Sequence, residues 1–462
     1  MMLWSQTDLI EATAGDLLGE WGNDGVAGVS IDSRSIKTGE LFVAIKAARD
    51  GHSFINDAIN LGAKAAMVDH IPSSISSSTP LLLVPCVQEA LEGLGKYGRN
   101  RSQAKLVAIT GSVGKTSSKN MLKTILECQG KTYAAPASFN NHLGVPLTLA
   151  NLPIDATYAV VEIGMNKPGE IEPLAKMTSA DVVFVTAIGK AHLEAFEDIK
   201  GIAHEKAQIV KGLKSNGVAV LNAGTPGYEI LKKQTIKNGK QFVSFGGLSS
   251  DIKAKKIQNS NGRIKVRCEF KDRKLEFSLN SLGSHFAENS LGVLLCVDRL
   301  GGDIDKATHD LEKWKPSDGR GSLEQVALPS GNIFLIDDAF NANPSSMKAA
   351  LKLLTQKSIV GNRRVAFLGD MLELGMKEVL LHEEISSWPE LANIDIIHTL
   401  GPLMHHLHSK LPPDKKGCHY RNKNELISDL ENIIRNGDVV LVKSSKSVGL
   451  SSLIDAIRSM KR

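Results

Sequence analysis

Short runs of β-branched and aliphatic residues, separated by amphipathic stretches, recur along the whole chain. The first block, residues 1–103, has such runs at 26–31, 41–45 and 81–84, a serine-rich loop at 71–80 and a helix over 87–101. The second, 104–316, opens on the apolar run 106–110 and continues with strands at 158–163, 182–188 and 218–221 and helices at 117–128 and 199–213. Buried strands alternating with helices of this length predict βαβ units and a parallel sheet. From 251 to 282 the pattern becomes charged alternation around Asn261-Gly262, which predicts a β-hairpin. Two helices then lead to Trp314. The turn-rich stretch 316–321 reads as a hinge into the third block, 317–462, whose strands fall at 333–336, 365–368, 394–400 and 439–442, with helices from Ser345 and up to Ser459.

This predicts an α/β protein of three domains, a central parallel sheet flanked by a smaller N-terminal α/β domain and a C-terminal Rossmann-like α/β domain. The 462 residues suit three domains of ordinary size. Fifty-five basic against fifty acidic residues leave a surplus of +5, too small to argue for a nucleic-acid partner. No apolar run reaches the roughly 18 residues that span a bilayer, so membrane insertion is not expected. Asp8 and Glu11 stand where a signal peptide would be basic and then apolar. The five cysteines are scattered without a C-x-x-C pair, which predicts a reducing cytoplasm.

Chemistry concentrates first in Gly111-Ser112-Val113-Gly114-Lys115-Thr116-Ser117, between the 106–110 strand and the 117–128 helix. Glycines let backbone N–H groups turn inward around phosphate oxygens, and the helix N-terminus adds its positive end. Lys115 would reach the β- and γ-phosphates and Thr116 would hold Mg²⁺, so a nucleoside triphosphate is the expected ligand. Ile109 occupies the position of the first glycine in the general pattern. Glu162, inside an apolar strand and just before Gly164, is placed to ligate Mg²⁺; pattern alone allows an ion-paired strand-end glutamate equally. His192 follows a strand by a short loop, a position where a solitary histidine is more often structural. A phosphate loop by itself also fits a switch or motor NTPase.

Taken together, these pieces resemble the Mur ligase family of ATP-dependent amide-forming enzymes across essentially the whole chain. The resemblance rests on residues 110–116, Val161-Glu162-Ile163-Gly164, Ala191-His192-Leu193-Glu194, His285 with Asn289, Ile31-Asp32-Ser33-Arg34, Leu41-Phe42-Val43-Ala44 and Asp50-Gly51-His52. In the third block, residues 337–347 and 369–375 resemble the members that add a D-alanyl-D-alanine dipeptide, and the Asp-Asn-Pro-Arg motif of diaminopimelate-adding members is absent. Phe340 stands where tyrosine is usual, and Lys443-Ser444-Ser445-Lys446 replaces a Lys-Gly-Ser-Arg-like stretch.

The resemblance implies a cytoplasmic, monomeric bacterial ligase that uses ATP and Mg²⁺ to join D-Ala-D-Ala to UDP-N-acetylmuramoyl-tripeptide through an acyl phosphate. The first block would bind the UDP-sugar peptide, the second ATP, and the third the amine while closing over ATP. Asn289, Arg320 and Asp337 would contact ATP; Ser33 and Arg34 the uridine diphosphate; Asn140, Asn141 and His142 the sugar or peptide; Asn341 and Asn343 the dipeptide. Thr116, Glu162 and His192 would hold Mg²⁺. Lys206, on pattern alone a solvated helical lysine, would be carbamylated and serve a second Mg²⁺. A sister Mur-type or folylpolyglutamate-type ligase, adding a single amino acid, is the alternative.

Overall fold

The computed structural model describes residues 2–260, 262–329, 331–356 and 363–460. Three sheets follow one another along the chain. The first has five short strands in the order Asp16–Leu18, Leu81–Leu83, Ala65–Val68, Leu41–Val43, Val29–Ser30, antiparallel only at its first pair. Leu41–Val43 and Ala65–Val68 are buried throughout, as strands covered on both faces must be.

The central sheet has nine strands. Seven run parallel, in the order Thr132–Ala134, Tyr158–Glu162, Lys105–Thr110, Ala180–Val185, Leu213–Asn222, Gln241–Phe245, Ile252–Ser260. The chain winds from Lys105–Thr110 first to one side and then to the other, so the crevice at the carboxyl end of this strand is the ligand position expected of an open α/β sheet. Phe184 and Phe245 meet edge to face at 5.6 Å beneath the buried helix Ser284–Arg299. Burying each such ring contributes about 1.5–3 kcal/mol.

At the sheet's far edge the expected hairpin is a three-stranded meander, Ile252–Ser260, Arg263–Phe270 and Arg273–Leu279. Its second turn is made by Lys271 and Asp272 at φ +49° and +61°, without the glycine that marks such turns in sequence. Asn261 of the first turn lies outside the described residues. The helix read over 199–213 divides into α-helix Ile199–Ala207 and a 3₁₀ segment Gln208–Gly212, and the following strand starts at Leu213 with a register shift before Val218.

The third sheet pairs Ser322–Leu328 antiparallel with Gly331–Asp338, followed by parallel Val439–Lys443, Arg364–Gly369, Ile396–Leu400 and Lys416–Tyr420. The carboxyl ends of its first strands bring Asp338, Phe340, Asn341, Asn343, Lys443 and Lys446 to the central phosphate loop, where they line two cavities that Lys115 also lines.

Candidate active site

The buried strand Lys105–Thr110 delivers the chain into Gly111 and Gly114, both with positive φ, and then into helix Lys115–Glu127. Gly114 (φ +84°) is that helix's N-cap, and a Cβ there would lie 2.5 Å from Nδ2 of buried Asn289. The loop rests on the one that follows strand Ala180–Val185. Ser112 donates from its backbone N–H to Ala187 O at 2.7 Å and from Oγ to Gly189 O at 3.1 Å, and Thr186 Oγ1 donates to Val113 O at 2.6 Å. Lys115 curls back to donate to Gly111 O at 2.7 Å. Enclosure lowers its pKa, a shift opposed by the Glu162 carboxylate and reinforced by Arg320.

Glu162 ends the neighbouring strand almost fully buried. Its Oε2 accepts from Thr116 Oγ1 and its Oε1 from Asn140 Nδ2, each at 2.8 Å. Ser138 Oγ lies 2.9 Å from Thr116 Oγ1 and accepts from Arg320 Nη2 at 3.0 Å. Arg320, within the 316–321 stretch, stacks its guanidinium 4.0 Å from the centroid of Phe340, so the phenyl ring keeps the aromatic face. Oxygen and cation chemistry thus line a cavity of about 350 Å³ that holds residues 112–117, Glu162, Asn289, Arg320, Asp338 and Lys443.

A second cavity of about 600 Å³ adjoins it, lined by Lys115, His192, Asn341, Asn343, Glu373 and Lys446. His192 has a left-handed backbone (φ +55°), and its Nδ1 lies 2.7 Å from Glu373 Oε2. That contact holds the Glu373 carboxyl below the ordinary range. In the first block Ser33 and Arg34 line a cavity of about 840 Å³, with Phe139 and Leu143 closing it from the central block.

Residues 25–92 match the Mur ligase family catalytic domain, 109–297 the Mur ligase middle domain and 323–446 the Mur ligase glutamate ligase domain. Over 433 residues the chain is 34% identical to the UDP-N-acetylmuramoyl-tripeptide–D-alanyl-D-alanine ligase of Rickettsia prowazekii, covering 92% of this chain and 94% of that one. The chain belongs to the Mur ligase family. A ligase of the same name from Bacillus subtilis is 30% identical, with 94% of each chain covered. The fold is similar to that of MurF from Acinetobacter baumannii, with a TM-score of 0.84 at 27% identity over 99% of both chains. Mur ligases are ATP-dependent, ADP-forming peptide ligases, and this chain is an enzyme of that class. Among its described residues no helix is long and apolar enough to cross a membrane.

Several residues of this Mur ligase stand differently from a simple reading of the motifs. Asp337 is buried, lies 3.6 Å from Arg458 Nη2 and does not line the phosphate cavity. Asp338 does, and its Oδ2 accepts from the buried Lys443 Nζ at 2.7 Å. Burial raises the pKa of both carboxyls. Strand alternation places neighbours on opposite faces, so the Asp-Asp pair itself carried this signal. Asn140 joins Glu162, whereas Asn141 Oδ1 accepts from Gly144 N at 2.9 Å to start helix Gly144–Ala150, and His142 is exposed. Asn343 Oδ1 accepts from Ser346 N at 2.9 Å, capping helix Pro344–Leu354, and Asn341 Oδ1 accepts from Ala342 N at 2.9 Å.

Lys206 is fully buried, not solvated. Its pKa falls well below the usual lysine value, first through burial and then through Lys115, with Glu205 opposing. Glu205 is itself spent on the backbone N–H groups of Gly169 and Ile171, each at 2.9 Å. Lys119, unmarked in the sequence, donates to Ala135 O and Ala137 O at 2.8 Å and so fixes the stretch before Ser138. Burial, with Lys443 adding to it, pushes His285 down to about 4. Away from the site, Asp50, His52 and His70 bring potential ligand atoms within 4.8 Å of one another. There His52 Nε2 accepts from Asp69 N and Nδ1 faces Asp50 Oδ1, which leaves that ring no lone pair for a cation.

Proposed function

We propose that this Mur ligase joins D-alanyl-D-alanine to UDP-N-acetylmuramoyl-tripeptide, converting ATP to ADP and phosphate. Relatives of this name match the chain along nearly its full length. The observation that carries the reading is that Lys115 lines both the phosphate-loop cavity and the adjoining one that holds Asn341 and Asn343. A phosphoryl donor and an amine acceptor can therefore meet at one lysine.

A carboxylate is a poor acyl donor. Transfer of the γ-phosphoryl group to a tripeptide carboxylate oxygen releases ADP and gives an acyl phosphate. The amine of the dipeptide attacks its carbonyl carbon, phosphate departs with the C–O bond, and the nitrogen gives up a proton. Lys115 and Arg320 would offset the charge of two anions held together. Closing the third block over the site would exclude water, which otherwise hydrolyses the intermediate.

The residues present fit Mg²⁺. Thr116 Oγ1 and Glu162 Oε2 are hard oxygen donors brought together beside the phosphate loop, the ligand type this ion takes. Bound there, the ion would neutralise phosphate charge as the leaving group departs. His192 would face the same phosphates from the second cavity, and a carbamate on the buried Lys206 would add a negative oxygen.

Residues 1–103 would hold the UDP-sugar peptide through Ser33 and Arg34, 104–316 the ATP with Asn289 near the base and Asp337 approaching on closure, and 317–462 the dipeptide. Asn141 and His142, beside the first cavity, would approach the sugar or peptide. On this reading the working unit is a monomer, and ATP with a UDP-linked substrate puts it in the bacterial cytoplasm.

The test is phosphate release by the purified enzyme with each substrate omitted in turn. Turnover requiring ATP, UDP-muramoyl tripeptide and D-Ala-D-Ala together is expected. Turnover without either acceptor substrate would instead mark a switch NTPase.

A further inference from the structure

Six non-glycine residues among those described have a left-handed backbone, and two of them touch each other. His192 (φ +55°) leaves the central sheet and Glu373 (φ +63°) leaves strand Arg364–Gly369 of the third. Such backbones persist where surroundings hold them and gather where function uses them. Here the surroundings are the two loops themselves. Glu194 N donates to Glu373 O at 3.3 Å, and Lys190 Nζ lies 3.7 Å from Glu384 Oε2. Gly375 (φ +60°) passes so close that a Cβ would come 2.9 Å from Glu194 Cα.

The contact selects one form of the imidazole. With Glu373 Oε2 only 2.7 Å away, the carboxylate favours the proton on Nδ1, which would leave Nε2 with its lone pair. No hydrogen bond to Nε2 is made among the described residues. A histidine whose outer nitrogen donates to a carboxylate is oriented and made more basic for a cation on the other. The carboxylate here comes from a different block than the histidine.

We propose that Glu373 is a positioning residue: it fixes the Nε2-presenting form of His192, so the histidine is ready for the phosphate-bound cation only when the third block is docked on the central one. The cation half of this rests on the ligase reading; the tautomer half does not. The consequence is that cation binding and docking of the amine-binding block favour each other, so the phosphoryl site is completed after the acceptor's block has arrived.

The test labels the full-length enzyme with ¹⁵N-histidine and reads the His192 ring nitrogens without metal, at a pH where imidazole is neutral, with the signals assigned from His192→Gln. The wild type should show Nδ1–H. Glu373→Ala should shift His192 toward Nε2–H, and Glu373→Gln should keep the wild-type form, because its amide oxygen still accepts. The Mg²⁺ needed for half-maximal phosphate release should rise about 10- to 100-fold in Glu373→Ala and stay closer to wild type in Glu373→Gln. If the alanine chain does not fold, Glu373→Asp, one methylene short, should show the same shift. An unchanged ring signal with an unchanged Mg²⁺ requirement overturns the proposal. Should the wild type form no amide bond, the ligase reading falls, while the ring signals still decide what Glu373 does.

Discussion

Thr116 Oγ1 donates to Glu162 Oε2 across 2.8 Å, tying the first turn after the phosphate loop to the end of the next strand. A glutamine at 162 can keep this network, since the Thr116 hydroxyl and the Asn140 amide can each reverse their roles. What Glu162→Gln removes is charge. Phosphate release should drop about 10²–10³-fold, the loss typical of one electrostatic contributor in an enclosed site. The melting temperature should stay near wild type, and a large fall in it would show that Glu162 is needed for folding instead.

Lys206 carries the second prediction. Burial and nearby Lys115 lower the Lys206 pKa, which favours the unprotonated amine that adds carbon dioxide. Lys206→Ala should lose activity, and a short-chain carboxylic acid added to the assay should restore part of it by supplying the missing oxygens. An alanine variant with full activity would remove Lys206 from the site.

Gly114 combines φ +84° with close approach to Asn289. Gly114→Ala should cost about 1–2 kcal/mol in folding stability from the left-handed backbone alone. Pushing Asn289 aside should also raise the ATP KM. Denaturant unfolding and ATP titration measure the two effects separately.

The phosphate loop was legible because glycine spacing, an apolar strand and a following helix all point to one geometry. The Asn343 cap was legible in Asn-Pro-Ser-Ser, an N-cap residue directly before a proline. Lys206 was not: the helix pattern over Ile199–Ala207 does not reveal that packing covers the lysine. The pairing of His192 with Glu373 joins two sheets and leaves no local mark. Nor did the Lys271-Asp272 turn, because glycine-free left-handed turns look like any charged loop. Asp338 rather than Asp337 facing the cavity was available from alternation, which needed only the strand's position.

Stability should depend on pH through His398, which is buried between Phe367 and Tyr420. Its Nδ1 accepts from Cys418 N at 3.1 Å, and its Nε2 has no partner among the described residues. Burial, with Arg363 adding to it, pushes the ring from 6.5 down to about 4. The unfolded chain therefore binds the proton more readily. The contribution is complete above the unfolded value and is lost as pH falls through the window toward about 4. The stability advantage of wild type over His398→Phe should narrow there by up to about 1.4 kcal/mol per pH unit. A difference that stays constant with pH would mean the ring titrates normally.

The acceptor is where structure and chemistry can be pulled apart. Asn343 has two jobs on this reading, because its Oδ1 caps helix Pro344–Leu354 while its side chain also borders the cavity shared with Lys115. Asn343→Ala removes both, so it should lower stability by about 0.5–2 kcal/mol and also weaken dipeptide use. Asn343→Asp keeps a capping oxygen and replaces only the amide NH₂, so stability should hold while the D-Ala-D-Ala KM rises or kcat falls. Loss of one buried hydrogen-bond partner costs about 1–3 kcal/mol, or roughly 5- to 150-fold. D-Ala, L-Lys and meso-diaminopimelate should be much poorer acceptors than the dipeptide, since a single amino acid has no peptide bond for Asn341 and Asn343 to meet. If Asn343→Asp matched wild type in both constants, the asparagine would be a cap and nothing more. If a single amino acid were the better acceptor, the third block would be reading a carboxylate, and Lys446 at the rim of the same cavity would be the first residue to replace.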